Sequence, residues 1–188
     1  MIYRIFFITL ATLVSLMGKA QTIYNSYIDK YAGMAVEQMK RHGVPASITL
    51  AQGLIESAAG TSRLAKKANN HFGIKVGSTW TGPYMIMSDD RPDDKFRVYR
   101  SVSDSFEDHS LFLRNGSRYA FLFDLKINDY KAWARGLKQA GYATSPTYAN
   151  TLINTIERYN LTTFDFNAHD SRELRHQQKE ERKLQARA

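Results

Sequence analysis

Glu56 lies in VPASITLAQGLIESAAGTSRLAKKANNHFGIK, residues 44–75, the stretch of this 188-residue chain best suited to carry chemistry. At about 100° per residue, Ile48, Leu50, Ala51, Leu54, Ile55 and Ala58 share one arc of a helix, while Thr49, Gln52, Gly53, Glu56, Ala59 and Gly60 share the other. A solvated helix face usually carries Lys, Glu and Arg. Here the neighbours of the carboxylate are small or neutral, which leaves room for something to lie against it. A carboxylic acid in a partly apolar setting keeps its proton near neutral pH and can pass it to a leaving oxygen. Periodicity alone equally allows a solvated glutamate on an amphipathic helix.

Further along, Asp89-Asp90-Arg91-Pro92-Asp93-Asp94 forms an acidic turn. A helical Glu and a second carboxylate that activates water, stabilises a cationic transition state or attacks are the requirements of glycoside hydrolysis. Side chains alternate faces along a strand. Asp89 goes with Met85 and Met87, Asp90 with Ile86 and Ser88, and the pattern leaves both open as the partner of Glu56. A solvated hairpin tip is the plainer reading of the same cluster. Tyr84, Tyr99, Trp80, Phe72, Tyr142 and Tyr148 gather near turns and helix starts, where aromatic rings can stack on sugar faces or simply fill the core. The expected substrate contacts are Gln52 beside Glu56, Asn70, Phe72 and Lys75 in the following irregular stretch, and Trp80, Tyr84 and Tyr148.

Other chemistries find little support. The five histidines have no HExxH-type pairing, and the acidic turn lacks the alternating ligands and Gly of a calcium loop. There is no cysteine, no GxSxG elbow and no phosphate-binding Gly loop. No metal and no cofactor are called for.

The elements that must hold these residues are mostly helical. Ile23, Tyr27, Tyr31, Ala35 and Met39 predict a helix over roughly Thr22 to His42 with Gly43 as its stop. Pro45 suits the first turn of the Glu56 helix, which runs to the Gly60 region, and a short helix follows over Ser62 to Ala68. Two strand-like runs, Tyr84 to Ser88 and Lys95 to Tyr99, predict an antiparallel hairpin or three-stranded sheet. A helix capped by Ser103 or Asp104 then runs to Asn115-Gly116. Another begins near Asn128 or Asp129 and stops at Gly141, and a last opens at Ser145-Pro146 and buries Tyr148, Leu152, Ile156 and Tyr159. The fold class is therefore α+β, a helical lobe and a small antiparallel β-hairpin lobe.

Residues 1–20, MIYRIFFITLATLVSLMGKA, read as a secretory signal peptide with cleavage after Ala20. Its apolar run is too short for a transmembrane span, so no integral span is expected after cleavage. Residues 21–161 form one domain held without disulfides, and 162–188 form a polar, basic tail with too few apolar residues for a core. The chain has 26 Lys plus Arg against 18 Asp plus Glu, and losing Arg4 and Lys19 with the signal leaves an excess of six positive charges. Such an exported protein suits anionic partners such as acidic lipid headgroups or acidic wall polymers, between which charge does not choose, and export argues against nucleic acid. It is expected to act as a monomer.

Three blocks, AQGLIESAAGTSRLAKKANNHFGIK, FRVYRSVSDSFEDHSLFL and GYATSPTYANTLINTI, resemble the signature blocks of the glucosaminidases of glycoside hydrolase family 73. The resemblance covers roughly Tyr27 to Leu161. It implies a lysozyme-like fold with a groove between the lobes, and cleavage of the β-1,4 bond on the reducing side of N-acetylglucosamine in peptidoglycan glycan strands. It also implies that Glu56, in the A-x-x-x-x-E-S block, is the general acid, and that Tyr142, in the GYAT block, lies close to the catalytic centre. The family often has a Glu upstream of FRxY, where this chain offers Asp89 and Asp90. Direct displacement and attack by the substrate's own 2-acetamido group are both open. A lytic transglycosylase or muramidase with the same single Glu, or a non-catalytic wall-binding protein, are the alternatives.

Overall fold

The computed structural model describes residues 2–89 and 91–165, with residues 2–20 described by backbone alone. The first element, α1, is a helix over Ile2–His42. It starts well before the Thr22 boundary expected from the sequence, because the apolar run of the signal segment continues the helix without a break. The cleavage expected after Ala20 falls inside α1, and the tail of residues 166–188 lies outside the described residues. Tyr27, Tyr31, Ala35 and Met39 recur every fourth residue and are buried as one stripe. Gly43, at φ +79°, ends α1 in the left-handed conformation that glycine adopts at little cost. Among the described residues no helix is long and apolar enough to cross a membrane.

Helix α2, Ala46–Glu56, is the axis of the molecule, and every residue from Ala46 to Leu54 is buried. The expected two-faced helix is corrected here: α1, α5 (Tyr130–Gln139) and α6 (Tyr148–Arg158) all pack on it. The arc of small residues that looked like an open face instead admits a neighbouring helix. Gly53 lies so close to Tyr27 that an added Cβ would collide with the phenol hydroxyl. Only Ile55 and Glu56, at the C-terminal end, emerge from the core. Ala58 and Ala59 then turn the chain at φ 49° and 52°, a left-handed geometry that costs a non-glycine residue about 1 kcal/mol or more.

The other end of α2 is capped from a distance. Pro45 sits at the N-cap and has no side-chain hydrogen bond to give. Buried Asp165 supplies it instead, its Oδ1 accepting from the Ser47 N–H at 2.9 Å. The negative end of this carboxylate faces the positive end of the helix dipole. Asp165→Ala strands a buried donor and is expected to lower stability by about 1–2 kcal/mol. Asp165→Asn, which keeps an acceptor, should retain most of it, and urea melts of the two variants measure the difference.

The short α3, Arg63–Ala68, is capped by Ser62. Strands β1, Tyr84–Met87, and β2, Asp94–Arg97, pair antiparallel with Met85 opposite Phe96. Met85, Met87 and Phe96 pack on Leu64 and Ala68 of α3, forming a second small core. The third strand allowed by the sequence reduces to a single bridge between Lys75 and Phe96. Asp108 joins the lobes, pairing with Arg97 at 2.8 Å and accepting from the Tyr99 hydroxyl at 2.6 Å.

Helix α4, Val102–Asn115, is capped by Ser101, with Asp104 reaching back as the third residue of a capping box. The expected cap at Ser103 or Asp104 is thus shifted, because Ser101 and Asp104 have the spacing that satisfies both ends of the box. A 3-10 segment, Ser117–Asp124, which no periodicity announced, leads toward α5. Asp129 caps α5, its side chain accepting from Ala132 N–H at 3.0 Å. In α6, Tyr148, Leu152 and Ile156 are buried as the spacing predicts, and Tyr159 is half-buried.

Candidate active site

A groove of about 730 Å³ runs between the helical lobe and the hairpin, with Glu56 in its wall. Burial pushes the Glu56 carboxyl up to about 7, the nearby Asp89 charge adds to this, and a hydrogen bond from Tyr148 opposes it. The group therefore holds its proton near neutrality yet faces open space. Tyr148 receives the Gln52 side-chain amide at 2.9 Å on its hydroxyl oxygen, which leaves its own proton for Glu56. Tyr142 stacks on Tyr148 with ring centroids 5.8 Å apart, and its hydroxyl donates to the Phe72 carbonyl at 3.3 Å.

The hairpin tip supplies the opposite wall. Tyr84 and Ile86 are about half exposed, at 50% and 53%, and this identifies the inward face of β1 as that of Met85 and Met87. Beyond the strand, Met87, Ser88 and Asp89 line the groove. Lys75 anchors the tip, its Nζ lying 2.9 Å from Asp89 and 2.8 Å from Asp94. The Lys75 pair also holds the Asp94 carboxyl below the ordinary carboxylate range. Asp90 lies outside the described residues.

The remaining expected contacts divide. Phe72, Lys75, Tyr142 and Tyr148 reach the groove with Glu56 and Asp89. Gln52 and Asn70 do not, since both are buried. Gln52 faces inward because the helix arc it shares with Glu56 is packed against α6. Asn70 folds back on its own loop, donating to Ile74 and Arg97 carbonyls at 3.0 Å and accepting from the Ile74 N–H at 3.2 Å. Trp80 braces the hairpin instead: Arg97 lies 4.8 Å from its ring centroid, Tyr99 meets it edge-on, and its indole donates to the Pro83 carbonyl. Tyr84 points outward under Lys95.

Polar groove residues that the sequence did not mark as substrate contacts include Thr144, Ser145 and Arg118. Thr144 and Ser145 line the groove directly after Tyr142, and their place in the same GYATS block was the available signal. Arg118 lines it from the 3-10 segment, its guanidinium 4.9 Å from the Tyr119 ring centroid. No pattern in the sequence marks it.

A helical lobe and a two-stranded lobe flanking a carboxylate-bearing groove define a lysozyme-like α+β domain of the peptidoglycan-hydrolase type. More narrowly, the chain belongs to the glucosaminidase family described as mannosyl-glycoprotein endo-beta-N-acetylglucosaminidase, whose profile matches residues 32–161. The exo-glucosaminidase LytG of Bacillus subtilis is 35% identical over 150 residues, covering 74% of this chain and 52% of that protein. The peptidoglycan hydrolase FlgJ of Vibrio parahaemolyticus is 30% identical over 144 residues, covering 71% of this chain and 46% of that protein. The chain thus spans about half the length of these curated relatives. Among solved structures, the catalytic domain of the autolysin Auto from Listeria monocytogenes superposes with a TM-score of 0.67 at 32% identity, covering 77% of this chain and 88% of that domain.

Proposed function

We propose that this chain is an exported peptidoglycan hydrolase, an endo-β-N-acetylglucosaminidase that cleaves the β-1,4 bond between N-acetylglucosamine and N-acetylmuramic acid. The observation that carries this reading is Glu56, a carboxyl held protonated near neutrality by burial at the wall of an open groove. Glu56 gives its proton to the glycosidic oxygen as the bond to the anomeric carbon breaks. Tyr148, by donating to the carboxylate that forms, stabilises the products of that transfer. Asp89 faces the same groove and is the described candidate for the second role, either activating water or orienting the substrate's acetamido group. The family and the names of the relatives support a wall substrate, and the groove suits sugar rings in size. The signal-like residues 1–20 support delivery to the envelope, as a periplasmic or secreted protein.

Mass spectrometry of digested sacculi tests the reaction. New reducing ends of N-acetylglucosamine are expected. Reducing N-acetylmuramic acid would make the chain a muramidase, the activity named for a 31% identical relative from Lactococcus lactis. 1,6-Anhydromuramic ends would make it a lytic transglycosylase, and no release at all would leave a wall-binding protein. The anomer formed first separates the two displacement mechanisms, inversion pointing to water activated by Asp89 and retention to the acetamido group.

Lys75→Met removes the cation that joins Asp89 and Asp94 at the hairpin tip. With the tip loosened, sacculus digestion should slow by roughly tenfold to a hundredfold, while the melting temperature falls only modestly because both pairs are partly exposed to solvent. Turbidity loss of a sacculus suspension measures the first, and thermal unfolding the second.

A further inference from the structure

Behind the groove, and out of reach of any substrate, lie two polar side chains that the reaction itself does not use. Gln52 on α2 and His109 on α4 are both fully buried. We infer that they are positioning residues, a buried relay that fixes the direction of the Tyr148 hydrogen bond and so presents its hydroxyl proton to Glu56. The inference rests on the proposed role of Glu56 as the acid.

His109 Nε2 lies 3.1 Å from Gln52 Oε1, and Gln52 Nε2 lies 2.9 Å from the Tyr148 oxygen. His109 Nδ1 has no hydrogen-bond partner among the described residues. Burial pushes the ring down to about 3, so it carries a single proton. That proton belongs on Nε2, where it has an acceptor, since a buried N–H without one costs more than a bare lone pair. Phe72 stacks on the ring at 4.0 Å and 17° and holds it in plane. With Nε2 protonated, the Gln52 oxygen must accept, its amide N–H must donate to Tyr148, and the Tyr148 proton is left for Glu56. With Nδ1 protonated instead, the amide would turn over, its oxygen would face the phenol, and Tyr148 would donate inward. One tautomer of a buried histidine thereby selects which way a tyrosine two hydrogen bonds away directs its proton.

The titratable groups around Glu56 are Tyr148 from α6, Tyr142 from the preceding loop and Asp89 from the hairpin tip, with Lys75, Arg118 and Tyr119 in the same groove. Tyr142 also faces His109. None of these is altered by Gln52→Leu, which removes the relay alone. A donor to a carboxylate lowers the pH at which it ionises, and a phenol that itself receives a hydrogen bond is the stronger donor, so losing the relay moves that pH up by part of the Tyr148 contribution.

The test follows the Glu56 carboxyl carbon by 13C NMR through a pH titration of the full chain. Tyr148→Phe is expected to raise the midpoint by about one pH unit, and Gln52→Leu, which keeps the Tyr148 donor but takes away the amide that orients it and polarises its O–H, by roughly a few tenths of a unit. The double variant should shift no further than Tyr148→Phe alone, because the two act through one bond. A midpoint unchanged in a folded Gln52→Leu variant, or additive shifts in the double variant, would overturn the relay. In the wild-type chain, 15N NMR of the imidazole should show His109 protonated on Nε2, and protonation on Nδ1 would likewise overturn it. Neither readout needs turnover, so a chain that released no sugar would contradict the proposed function without deciding the relay.

Discussion

Glu56→Gln is expected to lower sugar release from sacculi by roughly a hundredfold to ten-thousandfold while making the protein more stable. The two effects share one cause. Burial holds the Glu56 carboxyl near 7, well above its ordinary 4.5, so the folded state binds that proton more tightly than the unfolded state. Below about pH 4.5 both states are protonated and the residue is neutral to stability. As pH rises from there through about 7, the unfolded chain ionises freely and the folded one resists, so stability is lost progressively and the full loss is present above 7. Glutamine keeps the shape without the charge. Above pH 7 the variant should therefore exceed wild type by about 1–3 kcal/mol, a range reduced for the partial exposure of the groove wall, and should match it near pH 4.5. Sacculus digestion and chemical denaturation at both pH values measure the pair of effects. A variant that is inactive and also destabilised would point to a structural role for Glu56 instead.

The second large effect is structural. Phe106 of α4 is fully buried and carries the loop that lines the groove. Its ring meets Phe72 edge-on at 4.9 Å, Tyr31 at 5.7 Å and His71 at 6.1 Å. Phe72 in turn forms part of the groove and stacks on His109. Phe106→Ala leaves a cavity where three elements converge, and it is expected to cost about 3–5 kcal/mol. The melting temperature should fall by roughly 10 °C. Activity measured below the new transition should fall as well, because the Asn70 to Lys75 loop loses its support. A loss under about 1 kcal/mol would mean that the aromatic cluster collapses onto the space without strain.

How much of this was legible in the sequence follows from what each residue contacts. Helix positions at four-residue spacing, such as Tyr148, Leu152 and Ile156, were readable because burial repeats with the helix. The hairpin was readable from its turn residues, and the groove from Glu56 and the acidic tip together with the family blocks. What was not readable was determined across the chain. The arc holding Gln52, Gly53 and Glu56 looked like an open face because small and neutral residues suit both a substrate and a neighbouring helix. Only the packing of α1, α5 and α6 decides between them. Asn70 carries an amide that a sugar hydroxyl would accept, yet its loop folds so that every amide atom is used internally. The strand parity that turns Asp89 toward the groove needed the exposure of Tyr84 and Ile86. His109 and Arg118 gave no local signal, because the partners of each lie on other elements.

The central claim is that a protonated Glu56 donates to the glycosidic oxygen. The most direct measurement is the initial rate of sacculus digestion by the wild-type chain from about pH 5 to 9. A general acid that ionises near 7 predicts a rate that falls tenfold for each pH unit on the alkaline side, with the bend near 7. A rate that stays level to pH 9, or one that bends near 4.5, would contradict it.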